Sequence, residues 1–266
     1  MAATDTPEQE RKPKKRGVAP LVVILVVCLL VAVGGGGYML TQYLRAQEEL
    51  ARQEETPTPE EVEPEEELPA NPIDFGSVKV DTPEAYAWIY IPDTGVNYPI
   101  MRSATDDNFY LRRNEHGEDS VFGSIFTQSM NALDFSDPVT LIYGHNTANH
   151  TMFGDVRQME NPDYFASHET MYIYTPGHIL TYRIIAAYMY DDRHIMNSFD
   201  FTDVETRLAY FDSVLHPTSM SVNVREGSTL DENSKIVQLS TCPDVNTTSN
   251  SRFIVTGVLI DDQPTQ

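Results

Sequence analysis

The stretch from Val18 to Leu40 is apolar apart from Pro20, the glycines at 34–37 and Tyr38. A run of this length can cross a hydrocarbon core of about 30 Å, so one part of the chain is committed to lipid and the rest must fold beside it. Arg11, Lys12, Lys14, Lys15 and Arg16 stand just before the run, whereas glutamate dominates after Arg45. The positive-inside bias then predicts a basic cytoplasmic segment over 1–17, a single-pass anchor over 18–40, and the remainder outside the cell. A cleaved signal peptide competes, because small residues near Ala32 to Gly37 mimic a cleavage site. The run is longer than the ~7–15-residue apolar core of such peptides, which favours an uncleaved anchor.

From Ala46 to Pro72 the sequence "AQEELARQEETPTPEEVEPEEELPANP" is rich in Glu and Pro and has few large apolar residues. It has too little apolar surface to offset the entropy of ordering, so residues 41–72 read as a stalk that is extended and self-repelling beyond Ala46. The formal net charge of the chain is −22. That excludes nucleic acid as a partner, since the phosphate backbone requires a basic surface. There is no metal-type spacing of Cys and His, and no metal or cofactor is expected.

Residues 73–266 form the globular part, large enough to bury a single core without staples. Short β-branched and aromatic runs recur there: Ala87–Ile91, Val121–Phe126, Val139–Tyr143, Met171–Tyr174, Ile179–Tyr190, Ile236–Thr241 and Arg252–Ile260. Clusters of Gly, Pro, Asn and Asp separate them, so they read as strands of a closed or sandwiched sheet. Helices are expected over Thr82–Tyr86, in part of Thr105–Arg113, and over Asp203–Leu215. In the last, Val204, Leu208, Phe211 and Leu215 share a face and Thr202 is a possible cap. The fold class is mainly β, with helices between strands.

Cys242 is the only cysteine of the globular part, because Cys28 lies in the apolar run. Extracellular thiols are normally paired, so this one is either buried and inert or kept for chemistry; residue type alone leaves both open. Its placement adds information. Cys242 ends the run "IVQLST", and Arg252 opens the next strand, so a return of the chain would set a thiol and a guanidinium at one sheet edge. A nucleophilic cysteine needs a proton-transfer partner. His145 follows a clear strand in "VTLIYGHN", with Gly144 permitting a sharp exit, and is the candidate acid/base. His150 sits in a polar loop, and His116, His168, His178, His194 and His216 occupy turn-like or helix-end contexts where a surface role is expected. Arg252 reads either as a surface strand residue or as a donor to charge developing on a carbonyl oxygen.

Taken together, "TLIYGHNTANHTMFGD", "QLSTCPD" and the strand that Arg252 opens resemble the sortases, cysteine transpeptidases of Gram-positive surfaces, and specifically class B. "AWIYIPDTGVNYPIM", "GSIF" and the Asp203–Leu215 segment, placed like the additional helix of class B, extend the resemblance over roughly Ile73 to Ile260. The resemblance implies a closed eight-stranded β-barrel with an N-terminal helical part and a helix between late strands. It also implies Cys242 as nucleophile, His145 as general acid/base and Arg252 as oxyanion or substrate-positioning donor. The implied reaction cleaves a C-terminal sorting signal of a secreted protein at a Thr-Gly-like or Thr-Asn-like bond and forms a thioacyl-enzyme. The acyl group then passes to an amine of a peptidoglycan precursor or a pilin. Leu111 matches a position lining the peptide groove of the family, and Ser240, Thr241 and Asp244 match positions near the nucleophile.

Two departures from the family pattern stand out. Pro243 follows the nucleophile and has no N–H, so a plausible oxyanion donor is missing. Alignment on Tyr110-Leu111 places Asp107 where the family has asparagine, which weakens the assignment of Asn108 as a substrate contact. Alternative readings of the same residues are a Cys-His cell-wall peptidase or amidase that passes the acyl group to water, and a tethered adhesin or binding module with a buried Cys242.

Overall fold

The computed structural model describes residues 70–242 and 250–266, together with Thr41, Tyr43, Leu44, Arg45 and Gln47. The apolar run at 18–40, the basic segment before it, nearly all of the stalk, and the expectations for Pro243 and Asp244 lie outside the described residues. By contacts the chain divides into Met1–Glu55 and Thr56–Gln266. In the first unit the described residues have helical backbone. Among the described residues no helix is long and apolar enough to cross a membrane.

The second unit is built on nine strands: β1 Ala85–Tyr90, β2 Asn97–Met101, β3 Ile125–Phe126, β4 Val139–Tyr143, β5 Thr170–Thr175, β6 His178–Asp191, β7 Val222–Val224, β8 Ile236–Thr241 and β9 Ser251–Pro264. They run in the order β5-β1-β2-β3-β4-β8-β9-β6-β7, and a further β5–β6 pairing closes the first eight into a barrel. Strand β6 is long enough to take β5 against its first half and β7 against Ala186–Tyr188. Two pairings are parallel, β2–β3 and β4–β8. Closure leaves few unpaired edges, which suits a chain so rich in β-forming residues.

The barrel interior is a dry cluster that includes Ile89, Ile100, Ile142, Phe153, Tyr182, Leu239, Phe253 and Val255. A second cluster forms where helix α5 (Val204–Leu215) packs on the outside of β4, β8, β9 and β6, through Tyr210, Phe211 and Val214 against Leu141, Ile185, Tyr188, Ile236 and Ile254. All six residues of β8 are therefore buried, between interior and helix. That two-sided burial suits Ile236, Val237 and Leu239, while Ser240 and Thr241 carry buried polar groups toward the strand's end. Gln238 is polar in the middle of the strand. It is completely buried, and its carbonyl oxygen accepts from Tyr210 Oη at 2.7 Å while its amide donates to Tyr188 Oη at 3.2 Å and Thr256 Oγ1 at 3.1 Å.

Several expected elements differ in position. The first helix of this unit is α1 (Phe75–Asp81), and Thr82–Tyr86 is its end and the start of β1. Asp74 caps α1 by accepting from Gly76 N and Ser77 N, and Pro83 excludes helical backbone at Thr82. Only a 3-10 turn, Phe109–Arg112, forms in Thr105–Arg113. In Val121–Phe126 only the last two residues are strand, because Gly123 takes φ +58° in close contact with the carbonyls of Tyr110 and Leu111. Strand β2 escapes the hydrophobic pattern because Pro99 lies within it; the proline is tolerated since β3 pairs only with Ile100 and Met101. Asp203, not Thr202, caps α5, while the Thr202 hydroxyl bonds Asp200. The buried face of α5 is Tyr210, Phe211 and Val214, leaving Val204 and Leu208 about two-fifths exposed. The phenol of Tyr210 reaching Gln238 selects that face.

Between β4 and helix α2 (Gly154–Gln158), which precedes α3 (Pro162–Ser167), lies the loop that starts with Gly144 and His145. It closes on itself through Phe153 N donating to His145 O at 2.9 Å and is tied to β2 by Met152 N donating to Tyr98 Oη at 3.0 Å. Asp155, at the start of α2, is buried and accepts from Gly95 N at 2.7 Å and Gln158 Nε2 at 2.5 Å. Asp155→Ala removes the acceptor from both donors. We expect it to destabilise this unit by about 1–3 kcal/mol, read as a lower thermal midpoint; an unchanged midpoint would show that the carboxylate does not anchor the loop.

Candidate active site

The register of three strands determines the rim. Tyr143 of β4 pairs with Ser240 of β8 in a parallel ladder, so the chain carries His145 and Cys242, each two residues further along, out of the same end of these two neighbouring strands. Thr241 of β8 pairs with Phe253 of β9 in an antiparallel ladder, so one step beyond, Cys242 stands opposite Arg252. On the far side Arg252 pairs with Tyr190 of β6. Residues separated by about a hundred positions in sequence thus meet at one end of the barrel.

Glycine at 144 is a packing requirement there. A Cβ at that position would lie 2.5 Å from Ile125 Cδ1 and 2.6 Å from Phe153 Cδ2, both in the core. Only glycine lets the chain leave β4 against the barrel end and deliver His145 to the rim. The imidazole is half-buried, and its Nε2–H donates to the carbonyl of Leu111 at 2.7 Å. A carbonyl can only accept, so this bond assigns the Nε2–H tautomer to the neutral ring and leaves Nδ1 as the basic nitrogen. Leu111 is itself held by the 3-10 turn, whose Tyr110 hydroxyl donates to Glu84 Oε2 at 2.6 Å.

Cys242 is half-buried and is a free thiol. Arg252 is half-buried, with Nη1 donating to Ser251 O at 2.9 Å. Burial raises the phenol pKa of Tyr143, and the positive charge of Arg252 pulls it part of the way back, so the guanidinium field reaches the floor of the site. The Thr241 hydroxyl is buried and has no hydrogen-bond partner among the described residues.

His145, Cys242, Arg252, Leu111, Ser240 and Thr241 all line one cleft of about 240 Å³. The residue types singled out in the sequence are therefore brought together, with Asp244 outside the described residues. Two expectations change. Asn108 does line the cleft, whereas Asp107 turns away to accept from Ser129 N at 2.7 Å and Ser129 Oγ at 3.0 Å. His194, expected as a surface residue, is a half-buried part of the cleft wall. Tyr143, within the "YGH" motif, lines it too, as does Gln128, which no motif in the sequence marks. His150 is outside the cleft, exposed, with Nδ1 3.1 Å from Asp155.

The model of the Sortase domain family matches residues 89–260. Sortase B of Listeria monocytogenes is 29% identical over 65% of this chain and 68% of its own length. The crystal structure of a Bacillus anthracis sortase B superposes with a TM-score of 0.66 at 25% identity, covering 83% of this chain and 99% of that one. That of Clostridium perfringens sortase B gives 0.60 at 28% identity, covering 71% and 100%. With the matched region spanning most of the barrel and the cleft at its end, the chain belongs to the sortase family, as a class B cysteine transpeptidase that cleaves sorting signals.

Proposed function

We propose that Cys242 is the nucleophile, His145 the general acid/base and Arg252 the donor to the oxyanion. The observation that supports this assignment is that all three line one cleft, where the neighbouring strands β4 and β8 end and β9 begins. The Cys242 thiolate attacks the carbonyl carbon of the scissile bond, and the C–N bond breaks as the leaving amine takes a proton held by His145. A thioester on Cys242 results. An acceptor amine then attacks that thioester, its proton passes to His145, the C–S bond breaks, and the amide product leaves with the Cys242 thiolate restored. The thioester conserves acyl reactivity, and transfer outcompetes hydrolysis where the cleft positions the amine and limits water.

Pro243 supplies no N–H after the nucleophile. Stabilisation of the oxyanion therefore falls to the Arg252 guanidinium, with the Cys242 N–H as the available main-chain donor. Leu111, Ser240 and Thr241 line the groove where the sorting peptide binds, and Asp244 matches a family position near the nucleophile.

The partners we propose are secreted proteins whose sorting signal contains a Thr-Gly-like or Thr-Asn-like bond, and an amine of a peptidoglycan precursor or a pilin. The run at 18–40 anchors the chain in the cell membrane with its N-terminus in the cytoplasm. The acidic stalk holds the barrel at the outer face, where both substrates emerge.

Quenched fluorescent pentapeptides beginning Asn-Pro or Leu-Pro and carrying either bond test the reading. Cleavage and the thioacyl adduct should vanish in Cys242→Ala, and added amine should convert the product to a ligated peptide. Hydrolysis that ignores the amine would identify a peptidase. Separately, Arg252→Lys keeps the charge but loses the guanidinium fork, and kcat should fall at least ~10-fold. Near-normal turnover of that variant would remove Arg252 from the oxyanion.

A further inference from the structure

Gln128 stands two residues beyond β3, and His194 stands three residues beyond β6. In the sheet these strands are separated by β4, β8 and β9, the strands that bring in His145, Cys242 and Arg252. Four inter-strand steps amount to roughly 19 Å along the sheet. Yet His194 Nε2 lies 2.6 Å from Gln128 Oε1. Segments leaving two distant strands therefore meet over the strands between them.

The bond is well determined on both sides. His194 caps helix α4 (Ile195–Ser198), with Nδ1 accepting from Asn197 N at 3.3 Å, so Nε2 carries the proton and donates. Gln128 Oε1 also accepts from Tyr143 Oη at 3.2 Å, using its second lone pair. Its Nε2 donates to Asn108 Oδ1 at 3.1 Å, on the residue that precedes the 3-10 turn carrying Leu111. One amide thus joins the 3-10 turn, strand β4 and the loop after β6, and all four residues line the cleft.

We infer that Gln128 is a positioning residue for transpeptidation: it latches the loop after β6 across the cleft and so sets the width available to the sorting peptide. This rests on the assignment of Cys242 as the nucleophile for its consequence in catalysis, though the latch itself does not. Gln128 makes no contact with the thiol among its recorded bonds, so it acts through the walls it joins. Loss of the latch widens the cleft, weakens peptide binding and leaves the chemical step intact, which predicts a rise in KM at nearly constant kcat.

The test uses the full chain in detergent and follows alkylation of Cys242 by iodoacetamide and by a bulky polyethylene glycol maleimide, with adducts mapped by mass spectrometry. Gln128→Leu should raise the maleimide rate relative to the iodoacetamide rate about fivefold, the equilibrium worth of one net hydrogen bond. Gln128→Glu should stay near the parent ratio, because a carboxylate still accepts from His194 and Tyr143. His194→Leu removes the loop side and should match Gln128→Leu, and the double variant should add nothing further. An unchanged ratio in both single leucine variants overturns the latch, as does a carboxylate variant that behaves like leucine. If Gln128→Leu does not fold, His194→Leu alone decides. The same peptides then give KM and kcat: a fall in kcat with KM unchanged would refute the positioning role, whereas failure of every variant and the parent to ligate would refute the transpeptidase assignment while leaving the thiol-access result standing.

Discussion

The register of β8 between β4 and β9 is the constraint on which the site depends. Two ladders, one parallel and one antiparallel, bring a histidine, a cysteine and an arginine to one end of the barrel. A slip of one residue in either ladder would turn the side chains of β8 to the opposite face. The strand is protected against that slip by burial on both sides, and by Gln238, whose amide is satisfied only when Tyr188, Tyr210 and Thr256 are all in place. A buried amide left unpaired costs about 1–3 kcal/mol, so the network discriminates against other registers more than it adds to stability.

Around that end the structure spends much of its polar chemistry on holding loops. Asp155 gathers Gly95 and Gln158, so the loop bearing His145 is anchored at its far end. Glu84 holds Tyr110, and the next residue offers the carbonyl that orients His145. Strands supply the positions of Cys242 and Arg252, and hydrogen-bonded loops supply the orientation of the third group and the walls of the cleft.

The parts legible in the sequence were those with one dominant signal. Strands β4, β8 and the core of β6 and β9 announce themselves because burial on both faces produces long β-branched runs. The free cysteine at the end of such a run, with an arginine ten residues on, drew attention to chemistry before any geometry was known. Elements governed by a single local residue were less legible: Pro99 hides β2, Gly123 shortens β3, and Pro83 with Asp74 moves the first helix of the barrel unit upstream. On α5 the expected Phe211 and Leu215 pack inward, but Val204 and Leu208 stay partly exposed, because the tyrosine at 210, which a hydropathy pattern passes over, finds a buried partner.

By itself the sequence determined the division of the chain into apolar run, acidic segment and β-rich domain, and the candidate residues Cys242, His145 and Arg252, because composition and strand patterning are local properties. The tertiary structure alone decided which side chains share the cleft with Cys242, that Asn108 and not Asp107 faces the cleft, and that Gln128 and His194 meet across it. Those outcomes depend on barrel closure, which makes neighbours of strands far apart in sequence, and no local pattern records which of their loop residues will touch.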